Sequence, residues 1–203
     1  MARVVRVVLT GGIATGKSTV ARALVEAGIP LVDADQLARE AVAPGTPGLA
    51  AVVARFGPGV ITPAGTLDRA ALGRVVFADA EARAALERIV HPLVRAGIAG
   101  FFATLAPGTA AVAEVPLAFE TGWVTSFDLS VAAVCRAGTQ RQRLLARDGL
   151  SADQADQRLA AQWPIEDKAW LADAVVVTEG SLASTAAQAA RLAAWLKARW
   201  RPS

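Results

Sequence analysis

Near the start of the chain, Gly11, Gly16, Lys17 and Ser18 meet the spacing G-x-x-x-x-G-K-S. Those residue types, in that order, can hold a triphosphate. Glycines permit the tight backbone turn that aims successive N–H groups at one anion, and a helix beginning behind the loop adds the positive end of its dipole. Lys17 would reach the β- and γ-phosphates, and the Ser18 hydroxyl would ligate the accompanying magnesium ion. A glycine-rich turn with no ligand is the alternative. The lysine and the hydroxyl, both correctly placed, weigh against it.

A carboxyl-bearing segment follows in Leu31-Val32-Asp33-Ala34-Asp35. In an open parallel sheet the carboxyl ends of strands converge on the ligand crevice. Asp33 at such an end can orient an acceptor hydroxyl and take its proton. Its alternative is a helix N-cap for Gln36 onward, a role that Asp35 fits better. Transfer to an acceptor other than water also needs a cover that excludes water. The helical stretch Gln140 to Ala169, with Arg141, Arg143, Arg147 and Arg158, suits that task, because arginines over the departing phosphates offset the charge that shifts. Arg143 and Arg147 form an i, i+4 pair on one face. Arg147 is favoured and Arg143 comes next, an ordinary solvated face being the competing reading.

Strands and helices must place these groups, and the periodicity alternates between short apolar runs and longer helical ones, an α/β pattern. Candidate strands are Arg3 to Thr10, Pro30 to Asp33, Ala110 to Val115, Leu129 to Cys135 and Asp173 to Val177. All lack polar alternation, as strands buried on both faces do, which predicts a five-stranded parallel sheet covered by helices. The first crossover helix spans Lys17 to Ala27 and ends at Gly28. Between Asp35 and Thr109 lies a strandless excursion with helices near Gln36 to Val42, Leu49 to Phe56, Asp68 to Phe77 and Asp79 to Val90. Asp68 and Asp79 read as N-caps there. Gly149 and Ser151 divide the arginine-bearing stretch into a helical hairpin. Ser181 to Trp200 reads as an amphipathic helix with Leu182, Ala186, Leu192 and Leu196 on its stripe.

Composition narrows the class. The chain has 203 residues, 54% of them hydrophobic, and a net charge of +3. That length suggests one domain with small inserted lobes. The best membrane candidate, Ala96 to Ala106, is shorter than the roughly 18 residues a span needs, and no signal sequence is evident, so a cytoplasmic protein is expected. One cysteine, Cys135, excludes an internal disulfide and reads as a core thiol. Arginines are dispersed and aromatics make up 5%, which points away from nucleic acid and toward a small anionic substrate. The chain contains no asparagine, so it cannot supply the N-K-x-D element with which GTPases read guanine.

These residues together resemble dephospho-CoA kinase. Leu9 to Val20 looks like that family's opening, and Asp33-Ala34-Asp35 matches its D-A-D segment. His91-Pro92 follows, then Val115-Pro116-Leu117-Ala118-Phe119-Glu120, then Arg143 to Asp148, and then Gln162, Lys168, Ala172 and Asp173. The resemblance runs from Val7 to about Gly180. It implies a P-loop kinase of three α/β/α layers that phosphorylates the ribose 3′-hydroxyl of dephospho-coenzyme A with MgATP, the final step of coenzyme A biosynthesis. Residues 1–34, 91–139 and 170–203 would form the core, about 35–90 a helical CoA-binding lobe and about 140–169 a helical lid. Ala14, Thr15, Gly16, Lys17, Ser18 and Thr19 would bind ATP, with Gly12 and Ile13 completing the loop. Asp33 would activate the hydroxyl, and Thr10, His91, Pro116, Leu117 and Glu120 would lie at the substrate. His91, read as a helix-start residue, is balanced between substrate contact and packing; Glu120 would hold a magnesium-bound water or the substrate, with a plain surface residue as its alternative.

Two positions depart from the family pattern. Ala14 stands where glycine is usual, which requires either a negative φ or tolerated strain. Thr178 stands where asparagine is common, so backbone groups around Thr178 to Gly180 would substitute in holding adenine. The enzymatic rival is a nucleoside monophosphate or other small-metabolite kinase. A nucleotide-binding module without transfer is the rival of another class, and Lys17, Ser18 and Asp33 together argue against it.

Overall fold

The computed structural model describes residues 3–200, which form five strands and nine α-helices. In chain order these are β1 (Val5–Thr10), α1 (Lys17–Glu26), β2 (Leu31–Asp33), α2 (Ala34–Ala41), α3 (Pro47–Phe56), α4 (Arg69–Ala78) and α5 (Ala80–Ala103). There follow β3 (Ala110–Glu114), β4 (Leu129–Val134), α6 (Ala137–Asp148), α7 (Ala152–Ala160), α8 (Ile165–Leu171), β5 (Ala174–Val177) and α9 (Leu182–Arg199). All five expected strands form a parallel sheet in the order β2-β3-β1-β4-β5, each within two residues of its expected bounds. The order reverses around β1, so the crevice for a ligand lies at the carboxyl end of that strand, where the glycine-rich loop begins.

Burial explains why these runs become central strands. Val7, Val8, Leu9, Ala111, Ala113, Ala132 and Ala133 are fully enclosed. Val5, Val7, Leu9, Val112, Val131 and Val176 pack with Val20 and Leu24 of α1 and with Ala189, Ala193 and Leu196 of α9. Leu182 does not join the stripe expected of it: it is 72% exposed at the first position of α9, behind the Ser181 cap. At the edge of the sheet the Gln188 amide accepts from Val177 N–H and donates to its carbonyl, at 3.0 and 2.7 Å, which shields that end of β5 from further pairing.

Two compact units are present: residues up to Val32 with those from Thr104 onward, and Asp33–Ala103. The second has its own core of Val42, Val52, Val60 and Leu72, with Phe56, Leu86, Ile89 and Val90 packed against it. It includes the whole of α5, which ends at Ala103. The proline at 92 suggests a boundary, with His91 opening a new helix. Instead α5 runs through both residues. Pro92 costs one intrahelical donor, but the buried positions Ala82, Ala85, Val94, Ile98 and Phe102 maintain one apolar face on both sides of it. Capping follows the expectation at Asp68 and Asp79, whose carboxylates accept from first-turn N–H groups.

His91 is therefore a half-buried residue of a helix interior, and burial holds its pKa below the ordinary 6.5, with Glu87 opposing and Arg95 adding to the effect. The folded state then binds a proton there less readily than the unfolded chain. Stability associated with His91 is complete above 6.5 and declines as the pH falls toward the lowered value. In H91Q, urea midpoints are expected to fall less than in the parent between about pH 7.5 and pH 5; equal falls would remove His91 from the acid response.

Candidate active site

The loop between β1 and α1 is built for close approach. Gly16 adopts φ 84° and precedes α1 without any side-chain cap, so first-turn N–H groups of that helix stay available to an anion. A Cβ on Gly12 would lie 2.5 Å from Gln140 Nε2 and would displace that amide from its bond to the Ile13 carbonyl. Thr15 closes the turn, its hydroxyl donating to the Gly12 carbonyl at 2.8 Å. Ala14 resolves the choice posed by its sequence: its φ is 58°, and it is the only non-glycine residue at positive φ among the described residues. A left-handed alanine costs about 1–2 kcal/mol, so surrounding contacts must hold the loop in this form.

Lys17 forms an ion pair with Glu114, the last residue of β3, and both side chains are largely buried. Glu114 went unnoticed in the sequence because a single acid within an apolar strand carries no spacing signal. Its position beside the loop lysine makes it part of the site. Thr10 is fully buried, and its hydroxyl donates to the Pro116 carbonyl at 3.0 Å. It ties the end of β1 to the loop carrying Pro116 and half-exposed Leu117 instead of presenting its hydroxyl to solvent.

The two favoured arginines separate. Arg147 makes a two-point contact with Asp148, at 2.6 and 3.1 Å, and Asp148 also receives Arg158 at 2.9 Å. Arg143 turns toward the phosphate loop: its guanidinium donates to the Thr178 hydroxyl at 3.2 Å and to the Thr178 carbonyl at 2.5 Å. The Thr178 hydroxyl in turn donates to the Thr15 carbonyl. Thr178, the second departure from the family pattern, thereby couples Arg143 to the loop. The hairpin formed by α6 and α7 is fastened by Arg141 and Asp156, and Ser151 and Gln154 form a capping box at its second helix.

Asp33 terminates β2 and caps α2, its Oδ1 accepting from Asp35 N–H at 2.8 Å and Gln36 N–H at 3.4 Å. The cap expected of Asp35 belongs to Asp33, because Asp33 is the extended residue that precedes the helix. Among the described residues, Oδ2 has no hydrogen-bond partner, so capping leaves half of the carboxylate for another task.

Comparison with known proteins gives this geometry a lineage. A family model described as dephospho-CoA kinase matches residues 5–184. The chain belongs to the dephospho-CoA kinase family. A dephospho-CoA kinase from Anaeromyxobacter dehalogenans is 49% identical over 191 residues, covering 93% of this chain and 90% of that protein. The crystal structure of TT1252 from Thermus thermophilus has a TM-score of 0.80 at 36% identity, over 95% of this chain and 98% of that one. Dephospho-CoA kinase from Campylobacter jejuni has a TM-score of 0.70 at 27% identity, over 93% and 95%. The chain is thus a kinase of this family, and ATP is its phosphate donor.

In this member of the dephospho-CoA kinase family, further groups connect to the loop, directly or through the Gln162 segment. Glu120 is not a plain surface residue. It lies 2.5 Å from the Nζ of Lys168, which is 0% exposed, and accepts the Trp163 N–H at 3.2 Å. The lysine is close enough for ion pairing yet poorly aligned for a hydrogen bond, so Lys168 Nζ and Glu120 Oε2 are both buried without a hydrogen-bond partner. Gln140 and Gln162 also reach the loop: Gln140 Nε2 donates to the Ile13 carbonyl at 2.7 Å, and Ile13 N–H donates to Gln162 Oε1 at 2.8 Å. Neutral amides carry no charge pattern, so nothing local in the sequence marks a role for Gln140 or Gln162. Magnesium fits the donor set. Ser18 offers an exposed hydroxyl in the uncapped first turn of α1, and a hydroxyl beside substrate phosphates and water is how this ion is commonly held.

Proposed function

We propose that this chain transfers the γ-phosphoryl group of ATP to the ribose 3′-hydroxyl of dephospho-coenzyme A, giving coenzyme A and ADP. The observation that carries this reading is a phosphate loop with an uncapped helix start and an adjacent lysine, in a chain matched to the family over residues 5–184. Backbone N–H groups from Ala14 onward and the first turn of α1 receive the phosphates. Lys17 leaves Glu114 for the β- and γ-oxygens, where its charge offsets what develops on the leaving ADP. Asp33 accepts the hydroxyl proton through its unbonded oxygen while the other still caps α2. The Ser18 hydroxyl would hold magnesium, which when bound would neutralise phosphate charge. Arg143, already fastened beside the loop, is the arginine placed to act on the phosphates, with Arg147 supporting the lid through Asp148.

In the same reading, residues 35–90 form the CoA-binding lobe, with His91, Pro116 and Leu117 at the substrate, and residues 140–169 form the lid. The enzyme acts in the cytoplasm on small molecules, without nucleic acid or membrane; no helix among the described residues is long and apolar enough to cross one. A coupled assay is expected to show ADP release that depends on dephospho-coenzyme A. Release only with AMP, dTMP or shikimate would replace this acceptor with another.

A further inference from the structure

Ile13 is held at both of its peptide groups by side chains from two distant segments. Gln140, in the first turns of α6 and largely buried, donates to its carbonyl, while Gln162, between α7 and α8, accepts from its N–H. Next in the chain is Ala14 at φ 58°, and beyond it Thr15, whose carbonyl receives the Thr178 hydroxyl. The strained residue is thus flanked by fixed peptides. The Gln162 segment is itself anchored, since the adjacent Trp163 N–H donates to Glu120, which pairs with the fully buried Lys168. A primary amide is suited to this task because it carries both a donor and an acceptor without charge. A carboxylate at either position would repel the incoming phosphates, and an ammonium would compete with Lys17.

We propose that Gln140 and Gln162 are positioning residues: a two-amide clamp that keeps the phosphate loop, with its left-handed Ala14, in the form that receives ATP. The proposal rests on the reading of this loop as the ATP site. It also assigns a division of labour within the loop. The Ile13 N–H belongs to the clamp, and the anion is received by the N–H groups that follow it. Because an unclamped loop must be reordered before phosphates can bind, the clamp acts on nucleotide affinity more than on the chemical step.

The test is a two-by-two set of full-length variants titrated with MgATP in the absence of dephospho-coenzyme A, with amide exchange at Ile13 followed in the same proteins. Q162A is expected to weaken ATP binding about 10-fold, to raise KM for ATP more than it lowers kcat, and to accelerate exchange at Ile13. Glycine enters the left-handed region without a Cβ penalty, so A14G is expected to strengthen ATP binding in the Q162A background and to shift the parent less. A merely structural loss at Gln162 would not be rescued from position 14. Q140M, which removes the donor but keeps the length, gives the same reading on the carbonyl side should Q162A fold poorly. Unchanged ATP affinity in both Q162A and Q140M, or the absence of rescue by A14G, overturns the clamp while leaving the site reading intact. A parent protein that binds no ATP overturns both.

Discussion

Replacing Asp33 with asparagine is expected to lower kcat by about 10²-fold or more while ATP affinity stays near that of the parent. The substitution is informative because the observed cap and the proposed proton-acceptor role of Asp33 can be separated. Its Oδ1 caps α2 by accepting from Asp35 and Gln36 N–H groups. Asparagine ranks with aspartate as an N-cap, so D33N keeps the helix start and removes only the charge and proton affinity. D33A removes the cap as well and is expected to cost about 1 kcal/mol of stability in addition. Single-turnover rates with saturating ATP and dephospho-coenzyme A, read beside thermal midpoints, separate these effects. Turnover of D33N within about 3-fold of the parent would end the assignment of Asp33 as proton acceptor. The kinase reading would survive that result.

The sequence exposes those features whose physics is local. Unbroken apolar runs specify strands buried on both faces, and all five appear with their order around β1 left for the structure to supply. Gly16 and Lys17 announce the phosphate loop, because a left-handed turn before a helix requires a glycine. Ser151 announces the start of α7, and the structure adds Gln154 as the other half of its capping box. What escapes is decided by tertiary contact. Pro92 reads as a boundary, yet packing along α5 outweighs one lost hydrogen bond. Leu182 fits the stripe of α9 by spacing but sits in its first turn, with its side chain largely in solvent. Arg143 and Arg147 share one helical face, and the sequence favours Arg147; the structure instead turns Arg143 toward the loop, because Thr178 is near one and Asp148 near the other. Glu114, Gln140 and Gln162 act through partners roughly a hundred residues away or more, so no local pattern reveals them.

Lys17→Met tests the proposed role of the loop lysine and should be the second severe loss. In the proposed role, loss of the charge that offsets the leaving group should lower kcat by about 10²–10³-fold, and weaker ATP binding should accompany it because the same ammonium would meet the ground-state phosphates. The structure adds a stability effect. Glu114 is paired with Lys17 and largely buried, so K17M strands a carboxylate that has given up water. An unsatisfied buried polar group costs about 1–3 kcal/mol, and a charged one costs more. Adding E114Q removes the stranded charge, so K17M/E114Q should recover most of the lost stability in urea unfolding but none of the turnover. That divergence separates the chemical role of the lysine from its structural one. If the double variant regained turnover, Lys17 would be dispensable to the chemistry; if K17M were as stable as the parent, the Glu114 pair would not be the resting partner of the lysine.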